Sequence, residues 1–264
     1  MTYKETDEPQ VMEKAEIGPA GRTTAAYLNR AVYWLGRHWL LAFLLFWGIF
    51  NLLPWLAPVF MKAGWEAAGR SIYLLYTFFC HQLPQRSYFL FGARPMYELN
   101  EIQAAWQNTT NPLVLRQFVG TPEMGWKVAW SDRMVSLYTG IFFWAVLLAP
   151  WRRRLPRLSL WVLVLLALPL AIDGGTHMIS DMVGGIGGGF RYDNAWLASL
   201  TNHAFAPGFY AGDSLGSFNS WMRLITGLLF SLGAVWFALP AMEHAFAGTR
   251  QTLEGKFERA GLSL

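Results

Sequence analysis

Four stretches of the chain are apolar for long enough to cross a bilayer, and charged or turn-forming residues bound each of them. The first runs from about 39 to 60, with no charged side chain between Trp39 and Phe60. At about 1.5 Å per residue it reaches about 33 Å, enough for a hydrocarbon core of about 30 Å. The others run from about 134 to 150, 155 to 172 and 221 to 242, the last with Arg223 near its start. Asn51, Pro54 and Pro58 predict a loosened or kinked second half of the first span. The pattern predicts an all-α membrane protein with four transmembrane helices.

The flanks read differently. Residues 1–24 mix acids, bases and prolines without an apolar core, which predicts a mobile cytoplasmic tail rather than a cleaved signal peptide. Residues 25–38 carry apolar positions at helical spacing around Arg30 and Arg37, as a membrane-surface helix would. Residues 243–264 read as a charged cytoplasmic helix. The segment 71–92 is apolar at both ends and polar in the middle. A re-entrant or interfacial helix at about 66–80, ended by the Pro84 turn, suits it better than a fifth span.

Orientation follows from the turn Trp151-Arg152-Arg153-Arg154-Leu155-Pro156-Arg157, which has four arginines and no acid. Such a turn prefers the cytoplasm, and an even span count then puts both termini there. The connections 61–133 and 173–220 become organised extracytoplasmic loops. Within them, Tyr97 to Gln107 suits a short helix and Gly125 to Trp130 alternates like a strand. The glycines between Gly174 and Gly189 suggest a loop packed closely onto something; no strand precedes them, so they form no phosphate-binding motif.

Composition narrows the class further. With 54% hydrophobic and 14% charged residues, a disordered or collagen-like chain is excluded, and the balance speaks against an ordinary soluble domain. A lone cysteine, Cys80, excludes an internal disulfide framework and any all-cysteine metal site. The net charge of +4 gives no argument for nucleic acid as a partner.

The informative feature is where the polar residues gather. Cys80, His81 and Arg86 lie on the first outer segment. Asp132 and Arg133 open span two, Asp173 and His177 close span three, and Asn219 and Arg223 begin span four. Ionisable groups beside hydrocarbon are costly unless paired, so this convergence is a candidate site. His81, Asp173 and His177 are its candidate catalytic groups, and Arg86, Asp132, Arg133, Asn219 and Arg223 its candidate ligand-binding groups. Cys80, His81 and His177 are the candidate metal ligands. The cofactor stays open, a divalent metal being one that those donors suit. Asp173 and His177 share a face if the helix continues, although Gly174 and Gly175 argue against a regular helix. Each member also has a structural reading, as a headgroup contact, a loop hydrogen bond or an internal ion pair.

The same residues carry a resemblance. The run Cys80-His81-Gln82-Leu83-Pro84-Gln85-Arg86-Ser87-Tyr88-Phe89-Leu90-Phe91-Gly92 resembles a signature of domain-of-unknown-function family 2085, a bacterial and archaeal membrane-protein family. That family continues with Cys-x-Arg-Cys-x-Gly-x-Tyr-x-Gly, then Asp-Gly-x-Thr-Gln, then Asn-x-x-Arg-x-x-Thr-Gly. Here these blocks stand as Ser131 to Gly140, Asp173 to His177 and Asn219 to Gly227. Ser131 and Met134 replace the two cysteines, Ser136 the first glycine, and His177 the glutamine. If family members hold a metal through those cysteines, this chain has lost that geometry or rebuilt it with Asp132 and His177. The resemblance implies a multi-pass protein of a prokaryotic cytoplasmic membrane and a common set of polar residues. It brings no established activity.

Three functions fit these observations. The first is a structural or accessory subunit, with membrane lipids and other membrane-protein subunits as partners. The second is a metal-assisted membrane enzyme acting on a lipid-linked or anionic amphipathic substrate, its arginines holding the anionic group. The third is a small transporter component. The sequence places no charge deep within the four spans, which speaks against an ion path.

Overall fold

The computed structural model describes residues 19–263, with side chains from Thr23 onward. The tail assigned to residues 1–24 thus lies outside the described residues up to position 18. Helix α1, Pro19–Lys62, contains the first span and the preceding surface helix. The break between them falls at His38 (φ −113°, ψ 17°), not at the prolines. The reason is local. Pro54 has no N–H for the carbonyl of Phe50, one turn back, and the Tyr76 hydroxyl donates to that carbonyl instead, at 2.7 Å. Asn51 donates to Trp47 O (2.7 Å) and accepts from Thr139 Oγ1 (3.0 Å), which anchors the same turn to span two.

Among the described residues, four helices are long and apolar enough to cross a membrane: Thr23–Lys62, Asp132–Trp151, Leu160–Gly184 and Phe218–Arg259. The all-α membrane architecture stands, and a small sheet is added in the first loop. Span three outruns its expected end at residue 172 by twelve residues and passes straight through Gly174 and Gly175. Its start is set by Ser159, whose hydroxyl caps the Val162 N–H at 3.3 Å. Span four continues without interruption into the expected C-terminal helix.

The chain divides into two compact units, one from the residues up to Trp39 with those from Ala245 on, the other from Leu40 to His244. In the first unit, Tyr33 donates to Glu254 (2.9 Å), Arg250 reaches the Gly36 carbonyl (2.6 Å), and Trp39 stacks on Phe246. The second unit contains the candidate site.

In that unit spans two and four dock through small residues. A side chain at Gly227 would strike Ser136 Oγ, and one at Gly140 would strike Ser231 Oγ, each at 2.2 Å. Close backbone approach of this kind is how helices associate where no hydrophobic drive exists between them. Ser136 Oγ donates to the Arg223 carbonyl at 2.9 Å, fixing the register of the pair. After α1 the chain forms α2 (Glu66–Tyr76), inside the expected interfacial segment. A three-stranded antiparallel sheet follows, β1 (Ser87–Leu90), β2 (Gly120–Thr121) and β3 (Gly125–Ser131), with β3 in the middle. Between β1 and β2 lie α3 (Leu99–Ala105), the short helix expected near Tyr97, and the one-turn α4 (Pro112–Leu115). Val128, Ala129 and Trp130 of β3 pack with Tyr73, Tyr76, Ala57 and Met61, so one core joins the sheet, α2 and α1.

Candidate functional site

Backbone register builds the site first. Ser87 of β1 pairs with Ser131 of β3, so Arg86 and Asp132 flank that pair where span two begins. Span three then presents Asp173, His177 and Asp181 at successive i, i+4 positions, a spacing that puts all three on one helix face. Gly174 makes room beside them, because a Cβ there would sit 3.0 Å from Arg133 Nη1.

Beyond span three the chain folds straight back. Gly189 lies so close to Ser180 that a Cβ would meet its carbonyl and hydroxyl at 2.3 and 2.2 Å. Ser180 Oγ accepts from the Arg191 N–H at 2.9 Å, which returns Arg191 to the acidic face it has just left. Asn219 clamps this loop. Its amide donates to the carbonyls of Arg191 (2.6 Å) and Gly212 (2.9 Å), while its oxygen accepts from Arg191 Nη2 (3.1 Å).

The charged groups form two chains. In one, Asp173 lies between Arg191 (2.6 Å) and Arg133 (2.8 Å). The other runs Asp181–Arg86–Asp213–Arg223–Asp132, with contacts of 2.8, 2.8, 2.8 and 2.6 Å. Four guanidinium groups thus meet four carboxylates, so the lattice carries no net charge with His177 neutral. His177 stands between the chains, Nδ1 at 3.9 Å from Asp173 Oδ1 and Nε2 at 3.6 Å from Asp213 Oδ1. Neither ring nitrogen has a hydrogen-bond partner among the described residues.

Electrostatics in the loop portion follows from this pairing. Burial alone would push the Asp213 carboxyl up, but Arg86 and Arg223 override it and hold the group well below the usual carboxylate range. Burial likewise opposes the charge on Arg86, and Asp213 and Asp181 more than restore it. The crevice beside His177, lined by Arg86, Asp181, Arg191 and Asp213, is only about 170 Å³ and too narrow for a water-sized sphere.

The structure brings Arg86, Asp132, Arg133, Asp173, His177, Asn219 and Arg223 together. It does not assemble the proposed metal ligands. Cys80 Sγ is buried and accepts the N–H groups of Gln82 and Ser131, each at 3.3 Å. His81 keeps an exposed edge and stands within electrostatic reach of Arg86, Arg133, Arg223 and Asp213, while its Nδ1 accepts from the Leu83 N–H at 3.0 Å. Among the described residues no three His, Cys, Asp or Glu side chains are grouped to hold a metal ion. Asp173 and His177 do share a helix face, since the helix runs through both glycines, but two arginines already engage the carboxylate. The sequence reading missed Asp181, Arg191 and Asp213. Asp181 was within reach of it, being the next i+4 position after His177.

Comparison with known proteins agrees with this membrane architecture. A family model described as "Predicted membrane protein (DUF2085)" matches residues 123–237, which hold Asp132, Arg133, Asp173, His177, Arg191, Asp213 and Arg223. The chain resembles that family. The Cys80 to Gly92 run lies outside the matched residues. An uncharacterised protein of Methanocaldococcus jannaschii, MJ1492, is 27% identical over 139 residues, covering 50% of this chain and 67% of the relative. No solved structure matches. The chain is therefore similar to membrane proteins without an assigned activity.

Proposed function

We propose that this is a structural or accessory subunit of a prokaryotic cytoplasmic membrane, in which the buried ion lattice clamps two extracytoplasmic loops onto the helix bundle. One observation carries the reading: the chain's own carboxylates already neutralise all four lattice arginines, in a crevice without space for a substrate. Arg133 Nη1 and Arg191 Nε have no hydrogen-bond partner among the described residues, but the crevice beside Arg191 has no room for an anion, whereas arginines awaiting a ligand would face an open cavity. Burying ion pairs adds little net stability, whereas leaving one partner uncompensated is costly, so such a lattice fixes geometry more than it adds free energy.

The orientation rests on the arginine turn. Arg152 and Arg153 both reach Glu243, at 3.1 and 3.0 Å. On span four that residue lies about 30 Å from Arg223, the thickness of the hydrocarbon core. With this turn cytoplasmic, the lattice and the sheet are extracytoplasmic and both termini cytoplasmic. The partners in this reading are membrane lipids and neighbouring membrane-protein subunits.

Two measurements test it. With Arg154→Cys and Asn100→Cys, both exposed, an impermeant maleimide applied to intact cells should label position 100 and spare 154. The reverse pattern overturns the orientation. In mild detergent from native membranes, the protein should migrate within a larger complex of fixed composition. Migration as a lone chain or homo-oligomer overturns the subunit role.

One observation favours a second reading, an enzyme. His177 is buried with both ring nitrogens unpartnered and lies beside Arg86 and Arg191. In that case a conformational opening would admit an anionic substrate, with His177 as general base.

A further inference from the structure

A second polar region lies away from the lattice, where α2 meets α4. Here a groove of about 510 Å³ opens between the two helices. Two guanidinium groups, Arg70 and Arg116, line it together with the polar Thr77 and Gln117, and Leu74 and Leu113 supply apolar walls. We propose that this groove binds the phosphate headgroup of an anionic membrane lipid.

Three observations support it. The first is unspent positive charge. Arg116 has no carboxylate partner among the described residues, and Arg70 has only Glu66, at 3.6 Å, in a pair more than half exposed on both sides. Such exposed pairs hold their partners weakly. Guanidinium forks suit phosphate oxygens and form charge-assisted hydrogen bonds with them.

The second is a buried cation directly behind the groove. Lys127 is fully buried, and its Nζ donates to the carbonyls of Gln82 (2.9 Å) and Arg116 (2.7 Å). No carboxylate pairs with it among the described residues. Gln82 and Arg116 are themselves residues of the groove, so an anion there would favour the protonated form of Lys127 across one layer of protein. Burial, aided by Arg116, pushes the Lys127 ammonium down to about 7, the response of a cation lacking a counter-charge.

The third is position. α2 begins four residues after α1 ends, just past the end of the first span. Trp65, Leu74, Leu75, Phe78 and Phe79 are exposed along this segment, as an interfacial helix requires. Leu74 belongs to both the exposed apolar face and the groove, so acyl chains would continue from one to the other. The groove shares no residue with the lattice.

Native mass spectrometry tests the proposal. The purified protein is exposed to phosphatidylglycerol or to phosphatidylcholine with the same acyl chains. The wild type should retain the anionic lipid preferentially, and Arg70→Gln with Arg116→Gln should lower that retention about tenfold, as lost charge-assisted contacts imply. Arg154→Gln, which removes a charge elsewhere, should leave it unchanged. The paired variant should keep the wild-type unfolding temperature, because neither guanidinium is buried in the fold. Equal retention by wild type and paired variant overturns the site. Displacement of the lipid by millimolar sn-glycerol 3-phosphate would make a soluble phosphate the occupant and overturn the lipid assignment.

Discussion

Asp132 Oδ2 and Arg223 Nε lie 2.6 Å apart, and this contact joins the first residue of span two to the first turns of span four. Both side chains are almost fully buried. Arg223 also reaches Asp213 through its side-chain oxygen (2.8 Å) and its carbonyl (2.6 Å), so one guanidinium ties two spans to the second loop. Arg86 makes the equivalent tie from the first loop, to the same Asp213 and to Asp181 of span three.

The cost of breaking this arrangement depends on how it is broken. Arg223→Gln leaves Asp132 and Asp213 without their shared counter-charge and should destabilise the protein by about 3–5 kcal/mol. Adding Asp132→Asn should recover part of that loss. A double-mutant cycle on thermal unfolding in detergent measures the difference, and simple additivity would mean that the two residues act independently.

His177 is the opposite case. Its ring makes no hydrogen bond within the described residues, so His177→Gln should change stability by less than about 1 kcal/mol. An unfolding shift as large as that of Arg223→Gln would mean that the imidazole is an integral part of the lattice.

These contrasts show what the sequence could disclose. The four spans were legible because twenty-residue apolar runs have few alternative uses, and the convergence of Asp132, Asp173 and Arg223 followed from their places at span ends. Span three was read too short because Gly174 and Gly175 suggest a loop. In the fold, Gly174 gives space to Arg133, and the helix continues through both glycines. That misreading hid Asp181 directly. Arg191 and Asp213 were hidden for another reason: each lies in a glycine-containing loop with no helical spacing to a lattice partner, and only the tight return at Gly189 brings Arg191 back to span three. Cys80 is a candidate metal ligand in the sequence, whereas in the fold it is buried beside β3 and accepts two backbone N–H groups.

Lys127 predicts a pH dependence. Its ordinary value is 10.5, and burial brings it down to about 7 in the fold. Between those values the unfolded chain holds a proton that the folded chain lacks, so stability should rise with pH across that window. Lys127→Met should flatten the rise. Chemical unfolding at a series of pH values gives the slope directly, and an unchanged slope in the variant would assign it to other groups.

Ser131 stands where the resembling family has cysteine, and its Oγ is 3.5 Å from Cys80 Sγ. Ser131→Cys should therefore close a disulfide with Cys80 under mild oxidation, since the two side chains already touch. Non-reducing peptide mapping would reveal the bridge. Two free thiols after oxidation would show that their geometry is unsuited to it.

The clamp itself is tested most directly by hydrogen exchange on Arg86→Gln beside the wild type, in detergent. The account predicts that residues 87–131 and 190–217 lose protection together while the spans stay protected, because Arg86 links the first loop to Asp213 of the second. Loss confined to the first loop, or to neither, would contradict a lattice that holds both loops onto the bundle.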